Sequence, residues 1–99
     1  MTINTNVSDN VYTVKVEGRL DTTTAPQLEA ELADIYEKAP SLVLDFADLA
    51  YISSAGLRVL LISQKEMTKL GKEMSLTNVN DTVSEVLEIT GFSDILKIN

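Results

Sequence analysis

The strongest constraint on the fold is a short apolar run, Ser41-Leu42-Val43-Leu44-Asp45-Phe46, set between two stretches of helical periodicity. Its length suits a strand better than a helix. A Leu/Val-rich strand entered and left through helices belongs to a parallel sheet, because parallel neighbours need long crossover connections and those crossovers cover the strand. On the N-terminal side, Ala25, Leu28, Leu32, Ile35 and Tyr36 share one helical face, with Glu29, Glu31 and Asp34 outside it. Thr24 and Gln27 have capping-box spacing, Pro26 occupies the first turn, and the helix is expected to end near Lys38, before Pro40. On the C-terminal side a second helix is expected from about Ser54 to Leu70, with Gly71 as its left-handed terminator. Leu57, Leu60, Leu61, Gln64 and Met67 form its sheet-facing stripe; Val59 and Ile62 are expected on another side, beside Arg58.

The same reading extends outward. Thr2 to Val7 is a weak strand and Asp9-Asn10 a turn. Val11 to Glu17 is a β-branched strand that Arg19-Leu20-Asp21 carries into a loop. Met74 to Val79 is a further strand. Thr82 and Glu85 are spaced as a second capping box for a short helix through Val83, Val86, Leu87 and Thr90 to Gly91. Ile95 to Ile98 is a last strand or short helix. The fold class is therefore α/β: an N-terminal β-hairpin feeding a mostly parallel sheet of four or five strands, covered by three or four helices. Residues 1–99 form a single domain. In such sheets sites lie beyond the carboxyl ends of the strands. The loops expected to gather there are Asp21 to Thr24, Leu49 to Ser54 and Asn80 to Thr82.

Composition narrows the chemistry. The 99 residues include no Cys and no His, which removes a thiolate nucleophile, an imidazole base and the usual zinc ligands. Neither a metal nor any other cofactor is expected, and the chain reads as a binding module, not an enzyme. A net charge of −7 opposes binding to nucleic acid and to anionic membrane surfaces. Met1 to Ser8 is polar and uncharged, unlike a signal peptide, and the longest apolar run is only Val59 to Ile62. A cytoplasmic location is expected.

The segment Ile52-Ser53-Ser54-Ala55-Gly56-Leu57 is where strand gives way to helix. Ser54 is a favoured cap residue there, and capping alone is a sufficient reason for it. Gly56 is unusual, since Gly inside a helix costs about 0.5–1 kcal/mol relative to Ala. A helix start with open backbone amides also favours an anion, including a phosphate on Ser54. The segment has neither phosphate-loop nor nucleophile-elbow spacing. The apolar strip of Val59 and Ile62 beside Arg58 suits either a partner or a neighbouring helix.

Tyr51-Ile52-Ser53-Ser54-Ala55-Gly56-Leu57-Arg58-Val59-Leu60 resembles the signature of STAS domains, the anti-sigma factor antagonist family. Gly18-Arg19-Leu20-Asp21 with Thr24 and Leu28, and Leu42-Val43-Leu44-Asp45-Phe46 with Leu49, match the other two blocks of that family. The resemblance covers the whole chain. It implies an antagonist that binds an anti-sigma factor serine kinase of the GHKL type and so releases a sigma factor. Phosphorylation by that kinase ends the binding, and a PP2C-type phosphatase restores it. Aligned on Gly56-Leu57, the phosphorylated serine is Ser54. Ser53 stands where the family commonly has Asp, making it a competing acceptor, and Ala55 stands where a second hydroxyl is common. The implied partner-binding set is Asp21, Thr22, Thr23, Ser53, Ser54, Ala55, Gly56, Leu57, Arg58, Val59 and Ile62.

Two other readings stand beside this one. The substituted Asp position fits a non-phosphorylated scaffold of the same fold, in a signalling assembly or beside a transporter. Asp21, Asp45 and Asp48 would be the acidic site of an enzyme or nucleotide-binding protein, although surface solubility and capping explain them more simply.

Overall fold

The computed structural model describes all residues 1–99. The chain forms β1 (Thr2–Ser8), β2 (Val11–Leu20), α1 (Ala25–Ala33), β3 (Ser41–Asp45), β4 (Leu49–Ile52), α2 (Ser54–Lys69), β5 (Glu73–Thr77), α3 (Asp81–Ile89), a 3-10 turn (Phe92–Asp94) and β6 (Lys97–Ile98). β1 and β2 make an antiparallel hairpin, closed by Asp9 and Asn10 at φ 51° and 68°. Two consecutive left-handed residues match the twist of a tight hairpin. Every other pairing is parallel: β2 with β3, β3 with β5, β5 with β6, and β2 with β4. The main path across the sheet is β1-β2-β3-β5-β6, and β4 joins only β2.

The mostly parallel α/β architecture follows the expectation, with one strand more. Leu49–Ile52, expected in a loop, is β4 and raises the sheet to six strands. Three α-helices cover it. Registered neighbours Val14, Leu44 and Leu76 are fully buried, as are Leu42 and Met74 beside them to within a few per cent. The intervening Thr13, Lys15, Val43 and Asp45 are half-buried, so the core lies against one face of the sheet. The apolar run at 41–46 is thus buried on alternate residues, not throughout.

Helix boundaries and caps differ from the reading by spacing. Regular helix in α1 stops at Ala33 and the chain continues in turns to Lys38. Ile35 and Tyr36 are still buried there. The Tyr36 hydroxyl lies 2.7 Å from Ser63 Oγ, which donates to the Val59 carbonyl, so the end of this segment is tied to α2. Burial raises the Tyr36 phenol above its ordinary value despite that hydrogen bond. Lys72 Nζ donates to the Tyr36 and Glu37 carbonyls at 2.8 Å each.

Neither capping box forms. Thr24 makes no side-chain cap to α1. For α3 the cap is Asn80, not Thr82: Asn80 Oδ1 accepts from Val83 N at 2.9 Å, and its Nδ2 donates to the Leu49 carbonyl at 2.7 Å. One amide therefore starts α3 and anchors β4, the short strand that no sheet neighbour other than β2 supports. Replacing Asn80 with Ala removes both bonds and should cost about 1–3 kcal/mol. Thr82→Ala, at an exposed site, should stay within about 0.5 kcal/mol. Urea unfolding of both variants checks the assignment; equal losses would contradict it.

Candidate functional site

Parallel pairing of β2 with β4 sets Leu20 beside Ile52, so both strands end at the same place and both following loops leave from it. Ser53 N donates to the Leu20 carbonyl at 2.9 Å, which joins the two loops at their roots. From there α1 and α2 begin side by side. A small groove between their first turns, with a volume of about 230 Å³, has Thr22, Ala25, Glu29, Ala55, Arg58 and Val59 among its lining residues.

Gly56 makes this approach possible. A Cβ on Gly56 would lie 2.7 Å from Leu20 Cγ and 2.8 Å from Ile52 Cγ1. Those two side chains are themselves buried, so neither can swing away. The glycine is there for close approach of helix to sheet, and the first turn of α2 is held down on the ends of β2 and β4.

The adjacent serines are placed differently. Ser53 is the N-cap residue of α2, in extended conformation, and Ser54 is the first helical residue. The cap is therefore one residue earlier than the Ser54 expected from sequence. Ser53 Oγ is enclosed, accepts no cap hydrogen bond and has no hydrogen-bonding partner in the chain. Ser54 is exposed. Of the two candidate acceptors, only Ser54 presents its side chain at the surface.

The Asp21–Thr24 loop is rigid for an identifiable reason. Asp21 Oδ1 accepts from Thr23 N (3.0 Å), Thr23 Oγ1 (2.7 Å) and Thr24 N (3.2 Å). Thr24 Oγ1 accepts from Asp21 N at 2.9 Å and donates to the Arg19 carbonyl at 2.8 Å. The Thr23 hydroxyl, followed by the two backbone amides, holds the Asp21 carboxyl below the ordinary aspartate value, outweighing its partial desolvation. Asp21 is thus the residue that caps the loop, and Thr22 and Thr23 are left exposed.

The STAS domain model matches residues 2–99. The chain belongs to the STAS family. BtrV of Bordetella bronchiseptica, named an anti-sigma factor antagonist, is 40% identical over 91 residues, covering 91% of this chain and 78% of that protein. The anti-sigma-B factor antagonist of Staphylococcus aureus is 30% identical over 100 residues, covering 100% of this chain and 93% of its own. The solved structure of unphosphorylated SpoIIAA, an anti-sigma factor antagonist, has the same fold with a TM-score of 0.84 at 17% identity, covering 99% of this chain and 88% of that one. SpoIIAA of Bacillus has also been solved in its phosphorylated form.

On the surface of this STAS domain the expected site residues divide. Asp21, Thr22, Thr23, Ser54, Arg58 and part of Ala55 are accessible, and Ile62 is half-buried. Gly56, Leu57 and Val59 are not: Val59 is 2% exposed and belongs to the core, contrary to its expected outward position. Together with Ser63 it replaces Leu61 and Gln64, which are half-buried, on the packed face of α2. The reason is that α2 packs against α1 as well as the sheet, so its buried arc is wider and rotated from the Leu57-Leu61-Gln64 line.

Sequence reading missed Arg19 and Tyr51. The Arg19 guanidinium lies 4.2 Å from the centre of the Tyr51 ring, and Arg19 Nε is 3.7 Å from Asp21 Oδ2. Both are exposed, and the pair extends the accessible surface from Asp21 along the ends of β2 and β4. The register of β4 against β2 creates that contact, and a segment read as loop carries no such register. The three acidic residues do not converge. Asp48 pairs with Lys15 at 2.9 Å, raising the lysine by hydrogen bonding and then by charge. Asp45 Oδ1 accepts from Ala47 N and Asn78 Nδ2, and Asp21 serves its own loop.

Two outcomes follow. Gly56→Ala forces a methyl into the Leu20–Ile52 contact and should cost about 1–3 kcal/mol, seen as a thermal midpoint lowered by several degrees. A midpoint equal to or above that of the parent would contradict the close-packing argument. For Asp21, the folded-state value is depressed, so its contribution is complete above the ordinary aspartate value of about 3.9 and is lost as pH falls through the lower folded value. An NMR titration of the Thr23 amide should show a midpoint below about 3.9, and Thr23→Ala should move the Asp21 midpoint upward.

Proposed function

We propose that this protein is an anti-sigma factor antagonist that binds an anti-sigma factor serine kinase of the GHKL type through the ends of β2, β4 and α2. Its binding frees a sigma factor, and phosphorylation of Ser54 reverses the binding. A PP2C-type phosphatase resets the protein, and the exchange takes place in the cytoplasm. The single observation that carries the reading is the contrast within one dipeptide. Ser54 is exposed on the first turn of α2, while Ser53 Oγ beside it is enclosed. The names of the relatives support the antagonist role.

The chemistry of a switch at this point is direct. The first amides of α2 receive no side-chain cap, and the partial positive charge of a helix N-terminus tolerates a phosphate. Phosphorylation adds about −1.5 to −2 charges and three acceptor oxygens. Its cost falls on the complex, because a partner surface packed over Ser54 must desolvate that charge or meet it with a carboxylate. Every 1.4 kcal/mol so lost is about tenfold in affinity. The rest of the fold is untouched, since Gly56 and the cap loop of Asp21 pin both sides of the site.

The cognate kinase with ATP should add one phosphate, mapped to Ser54 by peptide mass spectrometry and absent from Ser54→Ala. Ser54→Asp should weaken kinase binding by at least about tenfold in calorimetry. Phosphate on another residue, or unchanged affinity of Ser54→Asp, would sink the switch. Ser53 in the usual Asp position favours the scaffold reading as the second choice. Stable partner binding with no phosphate incorporated would select it.

A further inference from the structure

The exposed side of α2 is electrically unlike the rest of the molecule. Of the eight basic residues, Lys15, Arg19 and Lys97 pair with carboxylates and Lys72 binds the carbonyls that end the α1 segment. The remaining four, Lys38, Arg58, Lys65 and Lys69, form neither an ion pair nor such a carbonyl contact, and three of these lie on α2. Arg58, Lys65 and Lys69 follow one another at seven and four residues. At about 100° per residue they fall within a stripe about 40° wide, and all three are exposed. With Glu66 its sole acidic residue, α2 contributes a surplus of positive charge to a chain of net −7.

The far half of this stripe borders a groove. Leu61, Gln64, Lys65, Thr68 and Lys69 of α2 face Ile95, which follows the 3-10 turn, across a space of about 620 Å³. Ile95 is 52% exposed, and Leu61 is only half-buried. No carboxylate lines the groove. Lys65 and Lys69 lie 11 and 15 residues beyond Ser54, about 16 and 22 Å along the helix axis, so this surface is distinct from the Ser54 site.

We infer that this groove is a second docking site, and that it takes an acidic amphipathic helix from a partner protein. The apolar stripe of that helix would cover Leu61 and Ile95, and its flanking carboxylates would meet Lys65 and Lys69. Charge complementarity selects this occupant. Unpaired cations beside an apolar groove attract acidic partners and repel basic ones. The chain has an acidic helix of its own, α3, where Glu85, Glu88 and the 77%-exposed Ile89 are accessible. A second copy docking α3 into this groove would be a head-to-tail contact, which generates open chains unless a ring closes, between two bodies of net charge −7. A foreign acidic helix raises no closure problem, and it brings only a short acidic face to the α2 cations in place of a second body of net charge −7.

A model peptide tests this without knowledge of the natural partner. The probe is a synthetic helix of about 18 residues, long enough to hold its own structure, with Leu at helical spacing and Glu elsewhere. Its twin carries Lys in place of Glu. Titrated into isotope-labelled protein, the Glu peptide should shift the amides of Leu61 to Lys69 and Ile95, bind more weakly as salt rises, and bind Ser54→Asp equally well. Lys65→Glu with Lys69→Glu should weaken it at least about tenfold, while Lys38→Glu changes it less than about twofold. Both lysines are exposed, so an unchanged thermal midpoint will show that the double variant is folded. Absence of binding at millimolar peptide, shifts centred elsewhere, equal binding of the Lys twin, or self-association of the chain through the groove would each overturn the proposal.

Discussion

The contact of Gly56 with Leu20 and Ile52 is the constraint on which the rest of the site depends. It joins three elements at one point, the ends of β2 and β4 and the first turn of α2. The space available is smaller than a methyl group requires. A helix that begins this close to the sheet has little freedom of tilt, so the side chains of its first turn are fixed relative to the neighbouring loop. Ser53 shows the cost of this placement. Its Oγ is enclosed with no hydrogen-bonding partner in the chain.

Rigidity on the other side of the site comes from polar chemistry. The Asp21 carboxylate takes hydrogen bonds from Thr23 and Thr24 on Oδ1, within its own loop, while Oδ2 faces Arg19. Its charge is thereby stabilised and Thr22 and Thr23 are held outward. The two halves are organised differently, one by apolar contact and one by hydrogen bonds to an ion, yet both are anchored to the same strand end at Leu20 and Asp21. A surface pre-organised in this way loses little conformational entropy on association, which suits the partner exchange proposed above.

Much of this was legible in the residues. The alternation of strand and helix, the Asp9-Asn10 turn and the parallel sheet follow from apolar spacing and turn chemistry, because those signals are local. β4 was not, and its burial pattern explains why. Leu49 and Ile52 are buried, while Ala50 and Tyr51 between them are exposed. Four residues with that pattern fit neither two-residue alternation nor a continuous apolar run. β4 exists because β2 is long enough to offer it an edge beyond β3, and Asn80 holds its first residue from a distant loop. The caps failed for a related reason. Thr24 and Thr82 have the right spacing, but Asp21 and Asn80 are better placed acceptors, and a short motif does not record its competitors.

Val59 illustrates the same limit on the helix that matters most. A periodic stripe predicts one buried face, and one neighbour would have left Val59 outside. α2 has two, the sheet and α1, so its buried arc takes in Val59 and Ser63 and turns Leu61 and Gln64 toward the edge. That rotation decides what the helix displays. It sets Ser54, Arg58, Lys65 and Lys69 along the outermost line and leaves Leu61 beside Ile95. An exposed serine at one end and an unpaired basic groove at the other are therefore consequences of a single packing choice. The charge pattern of α2 follows its accessible side, and that side is fixed by the second layer of packing that no one-dimensional period contains.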